Sequence, residues 1–156
     1  MAVKLNLGCG TDVIMGYRNI DIKPQHQLVE KGDCRNLDNL SVASDSVDEI
    51  RAILLLEHIS YYEISNVLQH WWSKLKKGGR IYIYDTDSAL FGNMMAKFQI
   101  NTQELNSVLF GNQNEAIKLG IYNLPYIENI FQQFKARTIS KGINGTNFFI
   151  EIEKPI

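Results

Sequence analysis

Apolar and polar positions along the chain fall into two alternating rhythms. Strand-like bursts occur at Lys4–Leu7, Asn19–Ile22, Val47–Leu54 and Arg80–Tyr84, with a weaker one near 27–31. Two more, near 136–141 and 147–153, flank Gly142-Ile143-Asn144-Gly145 and read as a closing antiparallel hairpin. Between the bursts lie helical repeats. Ile64, Val67, Leu68, Trp71 and Leu75 mark one face of a helix expected over Tyr61–Lys77. Ser60 and Glu63 predict a capping box for it, and Ile59 with Ile64 a hydrophobic staple. Lys74, Lys76 and Lys77 suit its negative end, and Gly78 its stop. Further helices are expected over Ser88–Phe98, Thr102–Phe110 and Leu124–Phe134. The second has a capping box in Asn101 and Glu104 and a stop in Gly111; the third starts after Asn123 with Pro125 in its first turn. Residues 111–123 show no pattern, which predicts an irregular segment. Strands alternating with helices favour an α/β fold with a largely parallel sheet.

Composition narrows the picture without redrawing it. At 156 residues one domain over 1–156 is expected. A chain of this length buries roughly 68–70% of its unfolded surface, so no disulfide or metal staple is required. Lys plus Arg number 16 and Asp plus Glu 17, a balance that argues against a nucleic-acid grip. The longest apolar run, Ala52–Leu56, is far too short for a membrane span. The N-terminus enters a strand pattern at once and reads as no signal peptide. Cys9 and Cys34 fit no metal spacing and no disulfide scaffold. The expectation is a reduced, cytoplasmic protein without a metal.

The chemistry begins at Gly8 and Gly10, just beyond the first strand. Glycines there permit a tight bend and let a ligand approach the main chain. Asp21, at the tip of the next strand, could accept from both hydroxyls of a ribose. A dinucleotide fingerprint requires a third glycine three residues after the second, and Val13 stands there. It also places its acid about 20 residues on, after a full helix. Here Asp21 follows Gly10 after 11 positions, with Gly16-Tyr17 between them. The connection must be a short turn, which serves a pyrophosphate poorly and a phosphate-free ribose well. A nicotinamide dehydrogenase fails on the same two points.

The run LNLGCG followed by GY-x-N-x-D resembles the class I methyltransferases that depend on S-adenosylmethionine, in their small bacterial and viral branch. The resemblance covers residues 4–90 well and the rest loosely. It implies a Rossmann-like methyltransferase fold with strands ordered 3-2-1-4-5 and an antiparallel hairpin after them. By carry-over, Asn6, Gly8, Cys9 and Gly10 lie under the methionine half of the cofactor, and Asp21 binds ribose. Gly32-Asp33-Cys34-Arg35 matches the exit of the third strand, where Asp33 would meet adenine with Cys34 beside it. Asp45-Ser46-Val47-Asp48-Glu49-Ile50 and Leu56-Glu57-His58 match the family's fourth-strand motifs, and Gly78-Gly79-Arg80 with Asp85-Thr86-Asp87 its fifth. Relatives often carry an acid at Asn6 and a polar residue at Ile53 or Leu54. Here Ile53 can offer only its backbone to the cofactor.

For catalysis the candidates are His58, as a base for an acceptor hydroxyl or amine, and Asp85. Each has a plainer alternative: His58 packed under the cleft beside Glu57, and Asp85 capping the helix that follows. His70 is expected to be structural, and Tyr122, Tyr126, Phe131 and Phe134 to be core. Selectivity for the acceptor should come from residues 88–125. The resemblance implies a small-molecule or glycan acceptor, with no nucleic-acid partner and no membrane. Neither acceptor nor oligomeric state is legible. A second reading is an accessory protein that binds S-adenosylmethionine or its product S-adenosylhomocysteine without turnover.

Overall fold

The computed structural model describes residues 2–97, 99–112 and 116–156. Strands β1 (Lys4–Leu7), β2 (Arg18–Asp21), β3 (Val29–Lys31), β4 (Val47–Ile53) and β5 (Leu75–Thr86) pair in parallel. β6 (Gly111–Asn112) and β7 (Ala116–Ile117) form a small separate ladder. β8 (Arg137–Asn144) and β9 (Asn147–Glu153) complete the main sheet in the order β3-β2-β1-β4-β5-β9-β8, with β9 antiparallel to both neighbours. The helices are α1 (Ile64–Lys74), α2 (Ser88–Ala96), α3 (Thr102–Phe110) and α4 (Leu124–Gln133). The mostly parallel sheet, its order and its closing hairpin agree with the sequence reading.

The two faces of this sheet differ. On one, register rows of Leu5, Ile50, Ile81 and Ile152, and of Leu7, Ala52, Ile83 and Ile150, are completely buried. Leu68 and Trp71 of α1 and Ile127 and Phe131 of α4 belong to the same core, and the Trp72 ring lies 6.4 Å from Phe131 and 6.0 Å from Phe134. Each buried Leu or Ile contributes about 1.5–3 kcal/mol. The other face alternates with it and carries charge. Lys4 meets Glu49 at 2.9 Å, and Arg80 meets Glu151 at 3.1 Å and Glu153 at 3.0 Å.

Segment 8–17 contains no helix, as its length predicts. Two buried asparagines hold it instead. Asn6 Nδ2 donates to the Asp12 carbonyl (2.7 Å) and to Asn19 Oδ1 (3.0 Å). Asn19 Oδ1 also accepts from Ile14 N (2.9 Å), and its Nδ2 donates to Ile14 O (3.1 Å). A buried amide without these partners would cost about 1–3 kcal/mol, so the pair fixes the loop.

Three expectations need correcting. α1 starts at Ile64 rather than Tyr61, and the Ser60–Glu63 capping box does not form. Ser60 Oγ accepts instead from Tyr62 N at 3.3 Å. At the other end, residues 75–77 leave the helix for β5, because Leu75 pairs with Val47 across the sheet. Gly78 therefore stops no helix; it takes φ +75 within the irregular start of β5, where its N–H donates to Lys154 O at 2.7 Å. The turn of the closing hairpin is shorter than expected, only Gly145-Thr146, with Gly145 in the left-handed region. The Asn101–Glu104 capping box and the Asn123 cap form as expected. The expected helix end at Phe98 lies outside the described residues, as does part of the irregular 111–123 segment.

Candidate functional site

The tips of β1 and β2 lie at the carboxyl edge of the sheet, where the strand order reverses between β1 and β4. In open α/β sheets that crevice is where ligands bind. Gly8 and Gly10 both take left-handed φ, +60 and +53. A Cβ on Gly8 would sit 2.4 Å from Leu55 Cδ1, whereas one on Gly10 would meet nothing within 4 Å. The first glycine is therefore needed for packing, and the second borders open space. Asp21 faces them: its Oδ2 accepts from Gly10 N at 2.9 Å and its Oδ1 from Lys23 N at 2.8 Å. Each oxygen keeps a second lone pair. The expected juxtaposition of bare bend and carboxylate is thus present.

The other residues assigned to this side are placed less uniformly. Cys9 is buried, and burial together with the Asp21 charge pushes its thiol up. Asn6 lies under the loop with its amide already committed to Asp12 and Asn19. Asp33 is gripped by Arg35, whose Nε and Nη2 lie 2.7–3.0 Å from its oxygens; the guanidinium holds the carboxyl below its usual range. Burial pushes the Cys34 thiol up to about 12, and the Cys34 carbonyl accepts from Trp71 Nε1 at 2.8 Å. Ile53 ends β4. The next residue, Leu54, has φ +50, a strained conformation for a bulky side chain. That bend brings Leu55 onto Gly8 and Leu56 N to Asp85.

A cavity of ≈ 150 Å³ opens beyond β5. Phe91, Met95, Leu109 and Ile121 give it apolar walls, with Glu57, Asp85 and Tyr122 among its other lining residues. Asp85 is 2% exposed; Oδ2 accepts from Leu56 N and Oδ1 from Thr86 N, both at 2.8 Å. Burial, then the neighbouring Glu57 charge, push its carboxyl up to about 7. It does not cap the following helix. Asp87 does, accepting from Ala89 N at 2.9 Å and Leu90 N at 3.3 Å. Glu57 is also buried. Lys118 Nζ pairs with its Oε2 at 2.7 Å. The Glu57 carbonyl accepts from Leu119 N (2.7 Å) and Gly120 N (3.2 Å), which fastens the 118–120 segment over the cavity.

His58 is partly exposed and is not among the residues lining the cavity. Its Nδ1 lies 3.1 Å from Ile117 O, and its Nε2 3.7 Å from Glu57 Oε1. His70 is structural, accepting from Leu37 N at 2.9 Å, and burial lowers its pKa. Tyr122 is core, as expected, with its hydroxyl donating to Ile59 O at 2.7 Å, but it also faces the cavity. Glu57, Lys118 and Tyr122 were not legible as site residues. Glu57 had a signal in the Leu56-Glu57-His58 run; Lys118 lies in the patternless segment and had none.

No family model matches this chain, and no curated protein matches its sequence. Solved structures do match its fold. A methyltransferase dependent on S-adenosylmethionine from Archaeoglobus fulgidus superposes with a TM-score of 0.67 at 13% identity, over 98% of this chain and 86% of that one. This is a Rossmann-like methyltransferase fold. An O-methyltransferase family protein from Burkholderia thailandensis gives 0.67 at 12% identity, over 99% of this chain and 51% of that one. A protein from Thermotoga maritima described as a possible histamine N-methyltransferase gives 0.67 at 14% identity, over 99% and 83%. Within the methyltransferase fold, this chain has an asparagine-pinned loop, not a helix, between β1 and β2.

Proposed function

We propose that this protein binds S-adenosylmethionine and transfers its methyl group to a small-molecule or glycan acceptor. The observation that carries this reading is the Asp21 carboxylate meeting the Gly10 amide across the tips of β1 and β2. The residues fit a nucleoside without phosphate. Gly10 leaves open space for it, and the spare lone pairs of Asp21 suit ribose hydroxyls. Bound there, the cofactor supplies an electrophilic methyl on sulfur. The main chain at 8–10 would hold its methionine half with Cys9 beside it, and Ile53 would offer it a backbone contact. Asp33 and Cys34 border the adenine, Asp33 sharing its carboxylate with Arg35. Asn6 contributes by fixing the loop.

In-line displacement demands positioning above all, which can supply about 7–11 kcal/mol. The proton of an oxygen or nitrogen nucleophile must leave. Asp85, which lines the cavity, is the better placed acceptor, and His58 the second candidate. Neighbours of this fold have names of both O- and N-methylating kinds, so likeness does not choose the atom. The apolar Ile53 and Leu54 favour a second reading, cofactor binding without turnover.

Single-turnover assays with labelled cofactor and a panel of sugars, phenols and amines separate the two. Methylated product supports transfer; tight cofactor binding with no product across the panel supports the silent role. An Asp21→Ala variant with unchanged affinity for S-adenosylhomocysteine would reject the ribose assignment.

A further inference from the structure

We propose that the cavity beyond β5 selects a small amine, held as its ammonium ion by Glu57 and Asp85 within apolar walls, and methylated on nitrogen. The methylation rests on the transfer reading above; the amine selectivity does not.

Two buried carboxylates, 9% and 2% exposed, border one cavity. Lys118 is the one cation in contact with either of them among the described residues, apart from the imidazole of His58 at 3.7 Å if protonated. Above about pH 7, where Asp85 is ionised, two buried negative charges face one positive, and buried charges are stable only when paired. An ammonium ion entering the cavity restores the balance. Glu57 Oε2 is taken by Lys118 Nζ at 2.7 Å, and Glu57 and Asp85 both line the space that the ammonium would enter.

About 150 Å³ holds a molecule of benzene size. Phe91, Met95, Leu109 and Ile121 form apolar walls, while the lining hydroxyls are those of Thr86, Ser88 and Tyr122, the last committed to Ile59 O. A compact apolar body with one cationic end matches those walls and that acidic end.

The proton balance also closes. The ammonium gives one proton to the ionised Asp85 carboxylate. The freed nitrogen lone pair then forms the C–N bond as the methyl C–S bond breaks, and that bond's electron pair stays on sulfur. The product leaves as a methylated ammonium, and Asp85 returns its proton to solvent. Its raised pKa, about 7, suits it to both steps near neutrality. The groups facing this carboxylate are Glu57, with His58 behind it, from the segment after β4, Lys118 from the segment after β7, and Tyr122 ahead of α4.

Benzylamine and benzyl alcohol differ at the atom in question. Calorimetric titration of the full chain with each, with and without S-adenosylhomocysteine, tests the proposal. At pH 8 benzylamine should bind about tenfold or more tightly than the alcohol, and the preference should shrink at pH 6 as Asp85 takes up a proton. Glu57→Gln should abolish the preference. Lys118→Met should strengthen benzylamine binding and leave the alcohol unchanged, a gain that a misfolded variant does not produce. Equal affinities at pH 8, no binding of either at millimolar levels, or a loss of amine binding in Lys118→Met overturns the proposal. S-adenosylhomocysteine binding without amine preference sinks this inference alone. Amine preference without S-adenosylhomocysteine binding sinks the methyl-transfer reading alone.

Discussion

Two regions at the carboxyl edge of the sheet are built in opposite ways. On the β1–β2 side, the geometry comes from the main chain of adjacent strands: Gly10 and Asp21 are 11 positions apart and share a hydrogen bond of 2.9 Å. On the β5 side, side chains from three distant stretches converge, Glu57 after β4, Asp85 at the end of β5 and Lys118 after β7. The first has its acid half-exposed, with lone pairs to spare. The second buries two acids and displaces the titration of one of them. Local geometry can hold a flexible nucleoside by its backbone and ribose. Convergent buried charge discriminates by chemistry, and it costs stability to maintain.

That contrast makes pH its strongest test. The Asp85 carboxyl titrates near 4 when unfolded and near 7 when folded. The folded state therefore holds the proton more tightly. Below about pH 4 the group has no effect, its cost grows as pH rises through that window, and above pH 7 it is complete at about 4 kcal/mol. Asp85→Asn should flatten the fall in stability between pH 4 and 8, read by urea denaturation; an unaltered slope would remove the buried-charge half of the comparison. Asp33, whose pKa is lowered by Arg35, acts with opposite sign, lending stability that disappears as pH falls below 4.

Next in size, Gly8→Val should cost about 2–4 kcal/mol, from left-handed strain and the clash with Leu55, measured by the same denaturation. Gly10→Ala meets open space and should cost only the strain term, about 1–2 kcal/mol, while still obstructing cofactor. Equal costs at the two glycines would blur the division between packing and ligand roles. Asp21→Ala should weaken S-adenosylhomocysteine binding by about 1.5–3 kcal/mol, followed by calorimetry. Smallest, Tyr122→Phe should cost about 1 kcal/mol through the lost bond to Ile59 O, with cofactor affinity unchanged.

Legibility in the sequence follows the same division. Period-2 bursts located every long strand, and the bend with Asp21 was visible because strand tips that are near in sequence are near in space. The C-terminal end of α1 departs from the helical pattern for a tertiary reason: Leu75 gains a sheet partner in Val47, which outweighs one more helical turn. Asp85 and Asp87 both stand at a helix entrance, and only the burial of Asp85 against Leu56 N distinguishes acid from cap. Lys118 has no signal in the sequence. Its role depends on the carbonyl of Glu57 gathering Leu119 and Gly120, a contact across 62 positions and more.

The account stands on the Gly10–Asp21 crevice, and calorimetry of the unmodified protein with S-adenosylhomocysteine tests it most directly. One-to-one binding at about micromolar affinity is the predicted result. An absence of heat and of competition at millimolar concentrations, with the protein folded, would contradict it.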